Sequence, residues 1–221
     1  MSHQVVGVLA GDRVNLAWLG QWIRQSTLTI AADGGADLIR KAGYQADVIV
    51  GDLDSVTEET KQLGKCIVEM PDQNFSDCEK LLQYITSQEI QSVTLCGLEG
   101  SRIDHTLHAI HSVARWPGTC LLAYENTLAR IIRTGELITV QTRGTLSALP
   151  LESCRGVTMS GVRWPLNLVE MSPLGYESIS NEAMGSATVS IREGTLLVSW
   201  SYDGCPNWHS AVVTKRIAEL G

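Results

Sequence analysis

No stretch of this chain is long and apolar enough to cross a bilayer, and its opening residues, MSHQVVGVLAG, have neither the basic run nor the apolar length of a signal peptide. A cytoplasmic protein with no membrane partner is the expectation. Basic residues are in deficit, 17 Lys and Arg against 24 Asp and Glu, and the net charge of −7 argues against nucleic acid as a partner. An anionic small molecule would need cations or helix termini placed locally to receive it. CxxC pairs are absent. Cys66, Cys78, Cys96, Cys120, Cys154 and Cys205 lie far apart, which indicates neither a zinc site nor a disulfide framework; reduced thiols, mostly in the core, are the plain reading. The Gly-x-Gly-x-x-Gly dinucleotide fingerprint is missing too, since Gly34 and Gly35 are adjacent and no third glycine follows at the required spacing.

What is present suffices for a substantial core: 221 residues, 44% hydrophobic and 19% charged, one large domain or two modest ones. The most informative stretch is Val48 to Ser55, VIVGDLDS. Its valines and isoleucine read as the end of a buried parallel strand, and Gly51 turns the backbone at the carboxyl edge, where open α/β sheets bind ligands. Asp52 and Asp54 follow two residues apart and can face one small volume. Crowded carboxylates are stable when they share a cation, and oxygen-only ligands on a tight loop suit a hard ion such as Mg²⁺ with phosphate as its other ligand. The alternative is that they cap the following helix. Ser55-x-x-Glu58 is itself a capping-box pattern, which leaves both aspartates free of that task.

Along the chain, strands are expected at Val5 to Leu9, Leu28 to Ala32, 47–50, Cys66 to Met70, Ser92 to Cys96 and Cys120 to Tyr124. Helices alternate with them, at Val14 to Arg24, Asp37 to Ala42, Thr57 to Leu63, from Ser76 to near Gln88, and at Ile103 to Trp116. Asp33-Gly34-Gly35 joins a strand to a helix, a place for close backbone approach to a phosphate or for simple packing. Ser76-x-x-Glu79 repeats the capping box, and Asp77 and Lys80, three apart on the next turn, share one side as an ion pair or as site residues. In the last helix Ile103, Leu107, Ile110 and Val113 read as the buried side, while Asp104, His108, His111 and Arg115 form a polar stripe whose histidines read as solvated. Strand–helix alternation predicts parallel βαβ units, and right-handed crossovers bring Asp33, Asp52, Asp54, Asp77, Arg102 and Asp104 to one sheet edge.

Near residue 126 the pattern changes. Short β-rich runs follow, at Ala129 to Thr134, Leu137 to Thr142, Gly144 to Leu149, Gly156 to Ser160, Leu166 to Glu170, Ala187 to Ile191 and Thr195 to Trp200. The expected fold is therefore α/β: residues 1–126 as a mostly parallel sheet with flanking helices, and residues 127–221 as a small antiparallel β-sandwich. Trp164, Trp200 and Trp208 fall in the second part, for stacking on a ring, an interface, or ordinary packing.

Taken together the segments resemble the thiamine pyrophosphokinase family, whose pattern runs DGG, GDLDS, D/Q-x-x-(T/S)-D-x-x-K and G-x-x-G-x-R-x-D-H. Here these are Asp33 to Gly35, Gly51 to Ser55, Asp72 to Lys80, and Gly97 to His105. In the second part Thr158 to Leu166 is similar to the family's G-x-x-W-x-L segment, and Ser178 to Glu182 to its S-x-S-N-E. Ser76 stands where Thr is usual, Ser101 replaces a common glycine, Ala109 replaces a frequent asparagine, and residues 199–221 have no matching pattern.

The resemblance implies transfer of a diphosphate from ATP to the hydroxyl of thiamine. By it, Asp52, Asp54 and Asp77 would hold Mg²⁺, with one of them taking the hydroxyl proton, and Lys80 and Arg102 would be the complementary cations. Asp33, Gly34, Gly35, Asp104 and His105 would lie by the nucleotide. Gln73 would lie by thiamine, Trp164 would stack on its pyrimidine, and Ser180 and Asn181 would supply hydrogen bonds. Family members are homodimers with thiamine between subunits, so residues 127–221 would form a thiamine-binding and dimerisation domain beside a nucleotide-binding catalytic domain. Three other readings are a pyrophosphokinase for another hydroxymethyl heterocycle such as a pterin, a non-catalytic nucleotide or thiamine sensor, and an α/β protein whose β half serves only to dimerise.

Overall fold

The computed structural model describes residues 4–206 and the backbone of residues 213–216. Trp208, singled out above, lies outside the described residues. The chain divides into two compact units, Met1–Glu125 and Asn126–Gly221.

In the first unit the strands are β1 (Val5–Val8), β2 (Leu28–Ala32), β3 (Val48–Gly51), β4 (Ile67–Glu69), β5 (Ser92–Cys96) and β6 (Thr119–Ala123). All pair in parallel, in the order β6-β5-β1-β2-β3-β4. Their unbroken apolar runs follow from burial on both faces: Val5, Val6, Val8, Ile30, Ala31, Val48, Ile49 and Val50 are all buried. Between them come α1 (Leu16–Gln25), α2 (Gly35–Lys41), α3 (Glu58–Leu63), α4 (Asp77–Ser87) and α5 (Ile103–Arg115). The strand order reverses between β1 and β5, so a crevice opens beyond their carboxyl ends.

Two local expectations are corrected. Ser55 does not cap α3. The helix begins after Thr57, whose hydroxyl and N–H both go to the Asp37 carboxylate (2.6 and 3.1 Å), and Asp37 also takes the hydroxyl of Thr60. Asp52 and Asp54 do not cap it either. The buried line of α5 is Ala109, Ser112 and Val113, small residues that admit α4 closely, while Ile103 and Leu107 project outward at 74% and 50% exposure. Periodicity cannot tell an apolar stripe that meets the core from one that overshoots it. All six cysteines are free, but Cys66 and Cys205 are exposed rather than in the core.

The second unit is antiparallel. Its strands are β7 (Thr127–Arg133), β8 (Glu136–Pro150), β9 (Cys154–Val162), β10 (Leu166–Met171), β11 (Ser178–Ser190), β12 (Thr195–Ser201) and β13 (Val213–Arg216). They run β10-β9-β11-β8-β12-β7, with β13 also on β8. The two short runs expected within 137–149 are one strand, because Gly144, with φ +141°, bends the chain without leaving the ladder opposite Ala183. The strand expected at Ala187 to Ile191 begins much earlier, at Ser178, and pairs with β8 along most of its length. Ile138, Val140, Leu146, Val157, Met159, Val189, Leu196 and Trp200 fill its core. Trp200 is thus a packing residue, whereas Trp164 is 53% exposed.

Candidate active site

β2 and β3 end side by side, and their exits carry the acids. Asp33 leaves β2 with φ +44°; Gly51 closes β3, and Leu53 at φ +66° folds the turn between Asp52 and Asp54. One carboxylate oxygen from each of Asp33, Asp52 and Asp54 lies within 4.8 Å of the others. Asp33 is buried at 1% exposure, and burial, the hydrogen bond with Asp52 and the charges of Asp77, Asp54 and Asp52 push its carboxyl up to about 7. Its Oδ1 accepts the Ser55 N–H (3.2 Å), and the Ser55 hydroxyl donates to Asp54 (2.9 Å).

Asp52 is held below the usual carboxylate range, first by the donating amide of Gln73, then, against its burial, by bonds from Asp33 and Lys80. Lys80 Nζ lies 3.3 Å from Asp52 Oδ2 and is buried. Asp77 is raised, chiefly by burial; Lys80 and His105 pull it down, while Asp52 and Asp54 push it up. The resemblance implies Asp52, Asp54 and Asp77 as the metal's ligands; the carboxylates that converge within 4.8 Å are Asp33, Asp52 and Asp54, and Asp77 lies in electrostatic range of Asp52 and Asp54. This set of three carboxylates, offering oxygen ligands only, fits a hard divalent cation.

A cavity of about 880 Å³ opens over the acids, lined among others by Asp52, Asp54, Gln73, Asp77, Lys80, Arg102, Asp104 and His105. Its far wall is made by the exits of β1 and β5, zipped together by Leu9 N–H to Cys96 O, Gly11 N–H to Gly97 O and Arg13 N–H to Glu99 O at 2.9–3.1 Å. Gly11 must be glycine, since a Cβ there would run into the carbonyls of Glu99 and Gly97. Asp12 ends the zipper: its carboxylate accepts the Ser101 N–H (2.7 Å) and hydroxyl (2.5 Å). Sequence reading missed Asp12, whose signal was a carboxylate one residue past the glycine turn of the first strand. Next to Ser101, Arg102 is paired bidentately with Asp104 (2.9 and 2.6 Å), which holds Asp104 far below the carboxylate range. Gly34 and Gly35 do not line the cavity. A Cβ on Gly35 would strike Val8 O, so that glycine serves the packing of α2 on β1.

A second residue the sequence undervalued is Glu79. The capping box is present: Ser76 N–H (3.0 Å) and hydroxyl (3.0 Å) donate to Glu79, which also meets His108 Nε2 (3.2 Å) and Arg115 (2.9 Å). Burial raises its carboxyl, but these bonds outweigh burial and bring it down to about 2. His108, read as solvated, is thus part of the tie between α4, which carries Asp77 and Lys80, and α5, which carries Asp104 and His105.

In the second unit Trp164 stands on the turn after β9. Arg163 lies over its ring at 4.9 Å and pairs with Glu182 (3.1 Å). Asn181 is buried, with its amide on the Trp164 backbone, and Ser180 is exposed, held at φ +55°.

A parallel sheet whose acidic exits border a cavity of about 880 Å³ beside a buried lysine has the charges that a phosphate-transferring enzyme, a kinase-type transferase, requires. The model of the thiamin pyrophosphokinase catalytic domain matches residues 19–121, and that of the thiamin pyrophosphokinase vitamin B1 binding domain matches residues 136–196. Between them these models of one family span most of the chain, and the chain belongs to the thiamin pyrophosphokinase family. It is similar to thiamine pyrophosphokinase of Bacillus subtilis (strain 168), 25% identical over 90% of this chain and 100% of that one. It is also similar to thiamin pyrophosphokinase 1 of Caenorhabditis elegans, 28% identical over 39% of this chain and 40% of that protein. The crystal structure of the Bacillus subtilis enzyme shares the fold, with a TM-score of 0.76 at 20% identity over 90% of this chain and 100% of that one. The protein is therefore an enzyme forming thiamine diphosphate, and ATP is the family's co-substrate. The pterin and sensor readings are not favoured, the second unit matching a vitamin B1 binding domain.

Proposed function

We propose that the diphosphate is transferred in the cavity above Asp33, Asp52 and Asp54, with these three carboxylates holding Mg²⁺ on the phosphates of ATP. The observation that carries this is the convergence of the three acids within 4.8 Å at the carboxyl edge of the sheet, where like charges repel unless a cation is shared between them. When bound, the ion neutralises phosphate charge. Lys80, fixed on Asp52, supplies a second positive charge that does not have to be recruited from solvent. Arg102, at the rim, exchanges its Asp104 partner for phosphate, with Asp104 and His105 bordering the nucleotide. Asp77, half-buried and with its carboxyl raised chiefly by that burial, takes the proton from the thiamine hydroxyl. Gln73 orients Asp52 and borders thiamine, whose pyrimidine stacks on Trp164 beside the Ser180 hydroxyl.

The working unit in this reading is a homodimer whose thiamine sites are shared between chains. Its support within this chain is that Leu168, Leu174, Tyr176, Ile179 and Met184 in the second unit are exposed apolar side chains that a second copy can cover. Free thiols agree with a reducing compartment such as the cytoplasm. The test mixes an Asp54→Asn chain with a Trp164→Ala chain, assays at a low thiamine concentration at which each alone is nearly inactive, and lets subunits exchange. Mixed dimers then carry one site with both lesions and one with neither, and about half the parent's per-dimer activity returns in them. No recovery after exchange confirmed by mass places both residues in one chain's site and removes the shared-site reading.

A further inference from the structure

Asn181 is 3% exposed, and the protein itself takes up its amide. Oδ1 accepts the backbone N–H of Trp164 at 3.1 Å and of Glu182 at 2.9 Å. Nδ2 donates to the carbonyl of Trp164 at 2.7 Å and lies 3.4 Å from Met159 Sδ. One side chain, 17 positions away, thus holds both polar groups of the Trp164 main chain. From the other side, Arg163 N–H donates to the Glu182 carbonyl at 2.9 Å, and the Arg163 guanidinium, braced by the Glu182 carboxylate, covers one face of the indole. Trp164 as a whole is 53% exposed.

An exposed tryptophan on a turn would otherwise lose rotamer and backbone freedom on meeting a ligand, and fixing it beforehand removes that cost from binding. We infer that Asn181 is a positioning residue rather than a substrate ligand: its amide fixes Trp164 so that the ring face turned from Arg163 is ready for a planar substrate ring. Asparagine is required by the bonding pattern. Aspartate has no donor for the Trp164 carbonyl, and alanine leaves that carbonyl and two N–H groups without their partner. The inference rests on the assignment of Trp164 to thiamine given above, and the experiment separates the two.

Asn181→Ala, Trp164→Ala, the double variant and Asn181→Asp are compared with the parent for thiamine KM, ATP KM and kcat. Asn181→Ala should raise the thiamine KM about tenfold with kcat and ATP KM within about threefold, the pattern of lost ground-state binding. In the Trp164→Ala background the same change should add less than about twofold, because two residues acting through one contact are not additive. An unchanged thiamine KM, an equal rise in both backgrounds, or a parallel loss in kcat and ATP KM overturns the inference. If Asn181→Ala does not fold, Asn181→Asp, which keeps the Oδ1 acceptor and the volume but sets an oxygen against the Trp164 carbonyl, should show the same split, and parent-like behaviour overturns it equally. Should Trp164→Ala itself keep the parent's thiamine KM, the thiamine assignment falls, and positioning is read from acrylamide quenching of the emission lost in Trp164→Phe. Asn181→Ala must then raise that quenching, and no change refutes the positioning role.

Discussion

Lys80 Nζ sits 3.3 Å from Asp52 Oδ2, and the lysine side chain is 2% exposed. A buried ammonium is tolerated where an anion meets it, and here the partner belongs to an acid cluster that also gains from the positive charge. Removing one member of such a pair strands the other. Lys80→Met should therefore destabilise the protein by about 3–5 kcal/mol, lowering Tm by roughly 10 °C, and adding Asp52→Asn should return part of that loss. Thermal melting of the single and double variants measures it, and a Lys80→Met protein that melts with the parent would contradict a buried pair.

The acids divide by role. Asp54→Asn should lower kcat about a hundredfold or more and also weaken the stabilisation of the protein by Mg²⁺, since it removes a metal-facing charge. Asp77→Asn should lower kcat comparably while leaving Mg²⁺-dependent stabilisation intact. Turnover paired with melting across an Mg²⁺ titration distinguishes them; equal loss of Mg²⁺ response in both variants would return Asp77 to the metal.

Glu79 should dominate part of the acid limb of stability. Its folded pKa of about 2 lies below the ordinary value of 4.5, so its contribution is fully present above about pH 4.5 and disappears as the pH falls toward 2. Glu79→Gln should melt a few degrees below the parent at pH 6, and the two curves should meet near pH 2. A gap that stays constant across that range would show that the tie between α4 and α5 does not depend on charge.

Asp12 and Ser101 form a latch at the rim of the cavity. Ser101→Gly restores the residue common in the family but removes the hydroxyl and adds loop freedom, so the loop preceding Arg102 should loosen. An ATP KM raised about threefold with thiamine KM unchanged is expected, and steady-state kinetics with each substrate varied will show it. An unaltered ATP KM would leave the latch without a part in nucleotide binding.

Much of this architecture was legible in the chain. Buried strands such as VIVG announce themselves by unbroken apolar runs, and the pairing of Ser76 with Glu79 was readable as a capping box before any coordinates. What was not legible depended on contacts far apart in sequence. Thr57 rather than Ser55 borders α3 because Asp37, 20 positions earlier, takes its hydroxyl and N–H. Ile103 and Leu107 face outward because α5 buries the face that carries Ala109, Ser112 and Val113, a choice of face that period alone does not make. Topology alone puts Asp33 at the same sheet edge as Asp52 and Asp54, but it does not show that one carboxylate oxygen of each comes within 4.8 Å of the others, which the pairing of β2 with β3 brings about. Asp12 gained its meaning only when the β1 and β5 exits were seen to run together.

The measurement that bears most directly on the whole account is product analysis of the purified protein incubated with thiamine, Mg²⁺ and ATP. Transfer of a diphosphate in one step predicts AMP and thiamine diphosphate in equal amounts, with no release of AMP when thiamine or Mg²⁺ is omitted. ADP with thiamine monophosphate, or AMP released without thiamine, would contradict it.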